Sequence, residues 1–282
     1  MQLLMFRSMW GVLGPWGKFP AENWEQAFPA IKESGYTGIE FDLPKADQHK
    51  RFRKLLDIYN FQYIAMIFTS GNTVADHISS FEQEVKLAKK LSPRFIVSHS
   101  GQDSFSPEEA KEFFEAALEI EEKEKIPVAH ETHRGRILFN PWSTYQLLSQ
   151  YSELKLCVDL SHWVCVAERL LEDCNDILEM TAQHCLHIHA RIGYEQGPQI
   201  PDPRMPEAAP YLAFHEKWWQ RIWDIQENAG FPETTMDPEF GPPGYMHTLP
   251  GTNAPVADLW DICNWQAGRQ KTLFASRTQK NS

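Results

Sequence analysis

Several large protein classes are excluded by what this chain lacks. No stretch approaches the roughly 18 consecutive apolar residues that a membrane span needs, so no membrane segment is expected. The start, Met1-Gln2-Leu3-Leu4-Met5-Phe6-Arg7, is too short for the apolar region of a secretory signal. No CxxC pair occurs. The cysteines number five, Cys157, Cys165, Cys174, Cys185 and Cys263, and an odd count suits a reducing compartment better than a disulfide frame. Basic residues are outnumbered, 27 Lys and Arg against 38 Asp and Glu. A net charge of −11 speaks against a surface that tracks nucleic acid, yet leaves room for a small basic pocket. Internal repeats, low-complexity tracts and a visible domain boundary are also missing. The expectation is a cytoplasmic protein that binds neither membrane nor nucleic acid.

What is present argues for a well-packed interior. Hydrophobic residues make up 42% of the 282 positions and aromatics 12%, with 10 Trp, which disordered chains do not carry. That length fits one large barrel or two average domains; we read residues 1–282 as one domain. Strand-like and helix-like segments alternate throughout. Strands are expected at Leu3–Phe6, Thr37–Asp42, Phe61–Phe68, Phe95–Gly101, Ile126–Arg134, Leu156–His162, Cys185–Arg191 and Thr234–Gly241. Helices are expected at Asn23–Glu33, Asp47–Tyr59, Val74–Leu91, Ser106–Lys125, Thr144–Tyr151, Glu168–Gln183, Tyr211–Ala229 and Val256–Ser276. Ser106, Pro107 and Glu109 spell out a helix start, with a cap, a proline at the first position and a capping box. Eight strand–helix pairs in strict alternation imply a parallel sheet covered by helices, and in a chain of this length a closed (β/α)8 TIM barrel. An open doubly wound sheet is the rival. The lack of GxGxxG after the first strand weakens a dinucleotide-binding reading.

The last four strands end alike, each in an apolar run that delivers a metal-binding type of residue. The fifth delivers Glu131, the sixth Asp159, the seventh His189 and the eighth Glu239. One acidic residue at a strand end is more often solvated or caps the next helix; four strands in succession are harder to dismiss. Ligands of α/β folds bind at the carboxyl ends of parallel strands. We therefore expect Glu131, Asp159, His189 and Glu239 to converge on one divalent cation. Three carboxylates and one imidazole form a hard, oxygen-rich set, suited to Mn²⁺ or Mg²⁺, with Co²⁺ or Zn²⁺ as alternatives.

At these residues the chain resembles the xylose-isomerase-like TIM-barrel superfamily of sugar isomerases and epimerases, including the D-tagatose 3-epimerase and hydroxypyruvate isomerase types. The resemblance spans nearly the whole chain. It rests on the ordered set of a Glu at the fifth strand, Asp-x-x-His from Asp159 to His162, a His at the seventh strand and a Glu at the eighth. The resemblance implies that Glu131 and Glu239 bind the metal and also act as the acid/base pair. It implies too that His162 and Arg191 contact a small carbohydrate substrate. The chain departs from its relatives at the seventh strand, where they often read His-x-Lys-Asp and it reads His189-Ala190-Arg191-Ile192. Dehydratases and lyases occur in the same superfamily, so the fold alone does not fix the reaction.

The chemistry expected of such a site is proton transfer beside a carbonyl. A divalent ion stabilises the enediolate left when a neighbouring C–H proton departs, and carboxylates on either side of that carbon remove and return the proton. Glu40, His99 and His133 are further candidates for lining the substrate pocket, with Trp10, Trp16 and Phe68 as an apolar wall. The segment Ile192–Pro210 is the longest loop, and its length points to a lid or a contact between copies in a homo-oligomer. A lyase or dehydratase acting on a keto-sugar or inosose-type compound is the nearest rival. A nuclease like endonuclease IV finds only a partial match in His99, His162, His189 and Asp202-Pro203-Arg204. A non-catalytic sugar-binding barrel is the third class, and metal content discriminates it.

Overall fold

A computed structural model describes residues 1–278. Eight parallel strands close into a barrel in sequence order. They are β1 (Gln2–Ser8), β2 (Gly38–Asp42), β3 (Gln62–Phe68), β4 (Ile96–His99), β5 (Val128–Glu131), β6 (Lys155–Val158), β7 (Cys185–His189) and β8 (Glu233–Asp237). The barrel closes through β1 and β8, with Gln2 opposite Glu233 and Met5 opposite Met236. Around it lie α1 (Trp24–Glu33), α2 (His49–Tyr59), α3 (Val74–Lys89), α4 (Pro107–Glu124), α5 (Pro141–Leu148), α6 (Leu160–Ala167), α7 (Asn175–Gln183), α8 (Ala209–Asn228) and α9 (Leu259–Thr278). The closed TIM barrel is the expected architecture, and the open doubly wound sheet is excluded. No helix among the described residues is long and apolar enough to cross a membrane.

Local chemistry sets the helix starts. The Ser106 hydroxyl accepts from the Glu109 N–H at 3.2 Å, and the Glu109 carboxylate accepts from the Ser106 N–H at 2.8 Å. Two otherwise unmatched N–H groups of α4 are thus satisfied. Thr73 and Asp76 build the same box for α3.

Several element ends differ from the sequence expectation by a few residues, and two of these differences bear on the site. The sixth strand stops at Val158, and Asp159 to His162 do not extend it. Asp159 instead caps α6, its Oδ1 accepting from the Ser161 N–H at 2.9 Å. The run Leu160-Ser161-His162-Trp163-Val164 is buried throughout, so its apolar composition read as strand although it coils into a helix. Glu168, in the left-handed region at φ 52°, ends that helix, and the next begins only at Asn175. The eighth strand stops at Asp237 because Pro238 cannot donate to a ladder, which leaves Glu239 on the loop just beyond.

Strand alternation divides the barrel interior into two zones. Leu4, Phe6, Ile64, Phe95, Val97, Ala129 and Cys157 form one apolar cluster that plugs the lower barrel. Phe6 reaches the axis because Gly38 carries no side chain; a Cβ there would collide with the Phe6 ring and the Gln62 carbonyl. Above the plug, toward the carboxyl ends of the strands, the side chains turn polar: Glu40, His99, Glu131, Asp159, His189 and Asp237, all buried.

Candidate metal centre

Glu131, Asp159, His189 and Glu239 each place one ligand atom so that all four atoms lie within 4.8 Å of one another. All four residues are buried. His189 Nδ1 stands 3.3 Å from Glu131 Oε1 and 3.0 Å from Glu239 Oε2. Glu131 Oε2 lies 2.5 Å from His99 Nε2. Despite these approaches, Glu131 Oε2 and Glu239 Oε2 have no partner in hydrogen-bond geometry among the described residues. Asp159 is held from three sides. Thr132 Oγ1 donates to its carbonyl at 2.9 Å and accepts from its N–H at 2.8 Å, while the Arg191 guanidinium donates to Oδ2.

Burial dominates the electrostatics here. It pushes the Asp159 carboxyl up to about 6, against the pull of Arg191 and with Glu239 and Glu131 adding to the rise. Burial opposes ionisation of Glu131 as well, but His99, His133 and His189 hold it well below the usual carboxylate range. Burial would keep His189 neutral; Cys157, Glu239 and Glu40 instead raise it well above its ordinary value. The donor set fits a divalent cation: three carboxylates surround one imidazole nitrogen, two of their oxygens are orphaned, and Arg191 offsets only part of the charge.

Above the cluster opens a cavity of about 680 Å³, lined on its polar side by Glu40, Asp42, His99, His133, Arg191 and Glu239. That volume falls within the range of small-molecule sites. Trp10 and Phe68 line it, whereas Trp16 lies elsewhere, beside Pro243 and Met246. Gly241 lets the Trp10 ring lie against the loop after β8, since a Cβ there would enter the ring. His162 is fully buried. It packs behind His133, ring centroids 4.0 Å apart, and its Nε2 lies 2.6 Å from an Arg191 nitrogen. Burial pushes His133 down to about 3, leaving a neutral imidazole at the cavity wall. Arg191 is buried too. Besides Asp159 it donates to Ser161 Oγ at 3.1 Å, and a second nitrogen lies 3.4 Å from Glu239 Oε2. His130, one residue before Glu131, faces outward and meets Ser100 and Glu121, as strand alternation requires.

One lining residue escapes a reading based on strand ends. Tyr245 sits in the loop after β8, 4.8 Å under the Arg191 guanidinium, in a stretch with no strand or helix pattern to place it.

A family profile described as xylose isomerase-like TIM barrel matches residues 28–199. The chain belongs to this family. Among solved structures, a probable 3-DHS dehydratase from Bacillus anthracis is 16% identical, with a TM-score of 0.60 over 93% of this chain and 97% of that one. A 3-keto-D-glucoside 4-epimerase from E. coli is 10% identical, with a TM-score of 0.60 over 96% of this chain and all of that one. A sugar phosphate isomerase/epimerase from Parabacteroides distasonis is 11% identical, with a TM-score of 0.58 over 96% and 94%. At such identities these likenesses concern the fold. No curated protein sequence matches the chain.

In this member of the xylose isomerase-like family, Ile192–Pro210 joins β7 to the start of α8. Its first half is packed, with Ile192, Gln199 and Ile200 buried, while most of residues 201–210 are exposed. The Gln199 side chain accepts from the Gly241 N–H at 2.7 Å and donates to the Gly241 carbonyl at 3.1 Å. The loop that carries Glu239 is thereby tied to the segment after β7. Gln199→Ala leaves two buried backbone groups unmatched and is expected to cost about 1–3 kcal/mol for each. Urea unfolding checks this, and an unchanged midpoint contradicts it.

Proposed function

We propose that the protein is a divalent-metal-dependent isomerase or epimerase acting on a sugar or a sugar-derived keto or hydroxy compound by proton transfer. The observation that carries this reading is the convergence of Glu131, Asp159, His189 and Glu239 beneath a cavity at the carboxyl end of the barrel. These four residues would hold one ion, Mn²⁺ or Mg²⁺ by the hardness of the set. When bound, the ion supplies a Lewis acid that stabilises negative charge developing on a substrate oxygen.

The chain's own groups supply the rest. Glu239 lines the cavity and takes the proton from the substrate carbon, while its buried Oε2 turns toward His189 and Arg191. Glu131 lies deeper, in contact with His99 at the cavity wall, and serves as the opposing acid or base. Arg191 holds Asp159 ionised and leans toward Glu239. Trp10 and Phe68 offer aromatic faces for a sugar ring.

Loss of a leaving group is the second reading, since it shares the proton-abstraction step and one structural neighbour is named a probable dehydratase. Incubation of the Mn²⁺-loaded protein in D₂O with ketoses, inosose-like compounds and 3-keto-glycosides separates the two. Deuterium in recovered substrate or its epimer supports isomerisation. Loss of water or of an aglycone supports the lyase. Neither outcome across the panel contradicts proton-transfer chemistry.

Metal affinity should also follow pH. Asp159 holds a proton up to about pH 6 in the ion-free protein, and a ligand carboxylate must be free of it. Its folded value is raised, so the proton is bound below that pH and competes with the ion. Mn²⁺ affinity is expected to fall by about tenfold or more per pH unit below 6. A flat profile from pH 4 to 6 contradicts Asp159 as a ligand.

A further inference from the structure

Glu40 has no counterpart in the four-residue set, yet it lies at the centre of the barrel, fully buried. Both its oxygens face imidazoles. Oε1 pairs with His189 Nε2 at 2.9 Å, and Oε2 lies 3.3 Å from His187 Nε2. His187 is wedged in turn. Its Nδ1 meets Thr235 Oγ1 at 2.8 Å, and its ring packs against Phe6 and Phe95, centroids 6.2 and 5.5 Å away. The apolar plug thus forms a floor, with His187 fixed in it and Glu40 standing between that floor and the ligand cluster.

An imidazole that faces an ionised carboxylate at hydrogen-bond distance presents an N–H. His189 therefore carries its proton on Nε2 toward Glu40, and Nδ1 points at Glu131 and Glu239. We propose that Glu40 is a positioning residue: its carboxylate fixes the tautomer and ring orientation of His189, so that Nδ1 is the atom offered to the metal. This rests on the metal-centre reading above. Glu40 also lines the cavity, as the sequence reading expects of it; its Oε1 pairs with His189, while its Oε2 approaches His187 outside hydrogen-bond geometry. Ligand atoms of Glu40, His187 and His189 also lie within 4.8 Å of one another, so a second cation is the rival use of the same groups. That use requires His189 to lose both ring protons and bridge two ions, whereas the 2.9 Å separation already suits an N–H···O bond. One ion with a carboxylate behind its histidine is the simpler chemistry.

The test combines Mn²⁺ titration, followed by electron paramagnetic resonance, with ¹⁵N spectroscopy of histidine-labelled protein loaded with diamagnetic Zn²⁺. Wild type should bind one Mn²⁺ per chain, and the His189 spectrum should show a protonated Nε2 and a metal-bound Nδ1. Glu40→Ala should weaken Mn²⁺ binding by about 10- to 100-fold, the usual effect of losing a histidine's outer partner. Glu40→Gln, whose amide oxygen still accepts from Nε2, should recover part of that loss. Equal affinity in wild type and a folded Glu40→Ala overturns the role of Glu40 while leaving the metal centre intact. Metal on Nε2 of His189, or two Mn²⁺ per chain falling to one in Glu40→Ala, overturns it in favour of a ligand role. Those wild-type spectra need no variant, so a misfolded Glu40→Ala does not shield the proposal. A wild type that takes up no ion overturns the metal centre itself, and this inference with it.

Discussion

Glu239→Gln is expected to lower kcat by about 10²- to 10⁴-fold, the range that a positioned general acid or base supplies, while the barrel stays folded. The substitution keeps size and shape but removes the charge that accepts a proton. Glu239 is the proposed ligand that also lines the cavity, which sets its carboxylate beside the space a substrate would fill. Glu131→Gln should act similarly, from the deeper side. Each variant needs two measurements, turnover and Mn²⁺ affinity, because both residues are proposed to hold the ion as well. A variant that binds Mn²⁺ and keeps more than roughly a tenth of wild-type turnover contradicts the acid/base assignment.

Arg191→Met should destabilise the ion-free protein by about 3–5 kcal/mol, the cost of leaving a buried charge without its partner. Arg191 and Asp159 are both fully buried and directly paired. Without the guanidinium, Asp159 faces Glu131 and Glu239 unaided and must take up a proton. A cation seated on Asp159 replaces the missing positive charge, so saturating Mn²⁺ should recover a good part of the loss. Urea unfolding with and without the ion measures both effects. If Arg191 serves only to touch substrate, its loss leaves stability unchanged and raises KM alone.

The parts of this molecule legible in the sequence are those governed by local rules. Alternating strand and helix patterns gave eight units, and the closed barrel follows because parallel strands must be covered by helices. The four strand-end residues could be named because one apolar run after another stops at a ligand-type side chain. Other features depend on contacts between distant segments. Pairing of Glu40 with His187 and His189 joins β2 to β7 across the barrel, and strand periodicity says only that Glu40 faces inward. The resemblance implies that Arg191 contacts substrate, and Arg191 does line the cavity; its pairing with Asp159 depends on where α6 begins. That helix is hard to read because it has almost no polar face: residues 160–164 are buried and its exposed Val166 is apolar too. Tyr245 lies in a local turn, its N–H donating to the Pro242 carbonyl at 3.0 Å, and only the folded chain brings its ring to Trp10 and Arg191.

The central claim concerns one cation among four side chains, and crystals grown with Mn²⁺ test it directly. An anomalous difference map should contain one strong peak per chain, at roughly 2.0–2.3 Å from oxygens of Glu131, Asp159 and Glu239 and from Nδ1 of His189. A map with no peak there, or with manganese bound only at another place on the chain, contradicts the account.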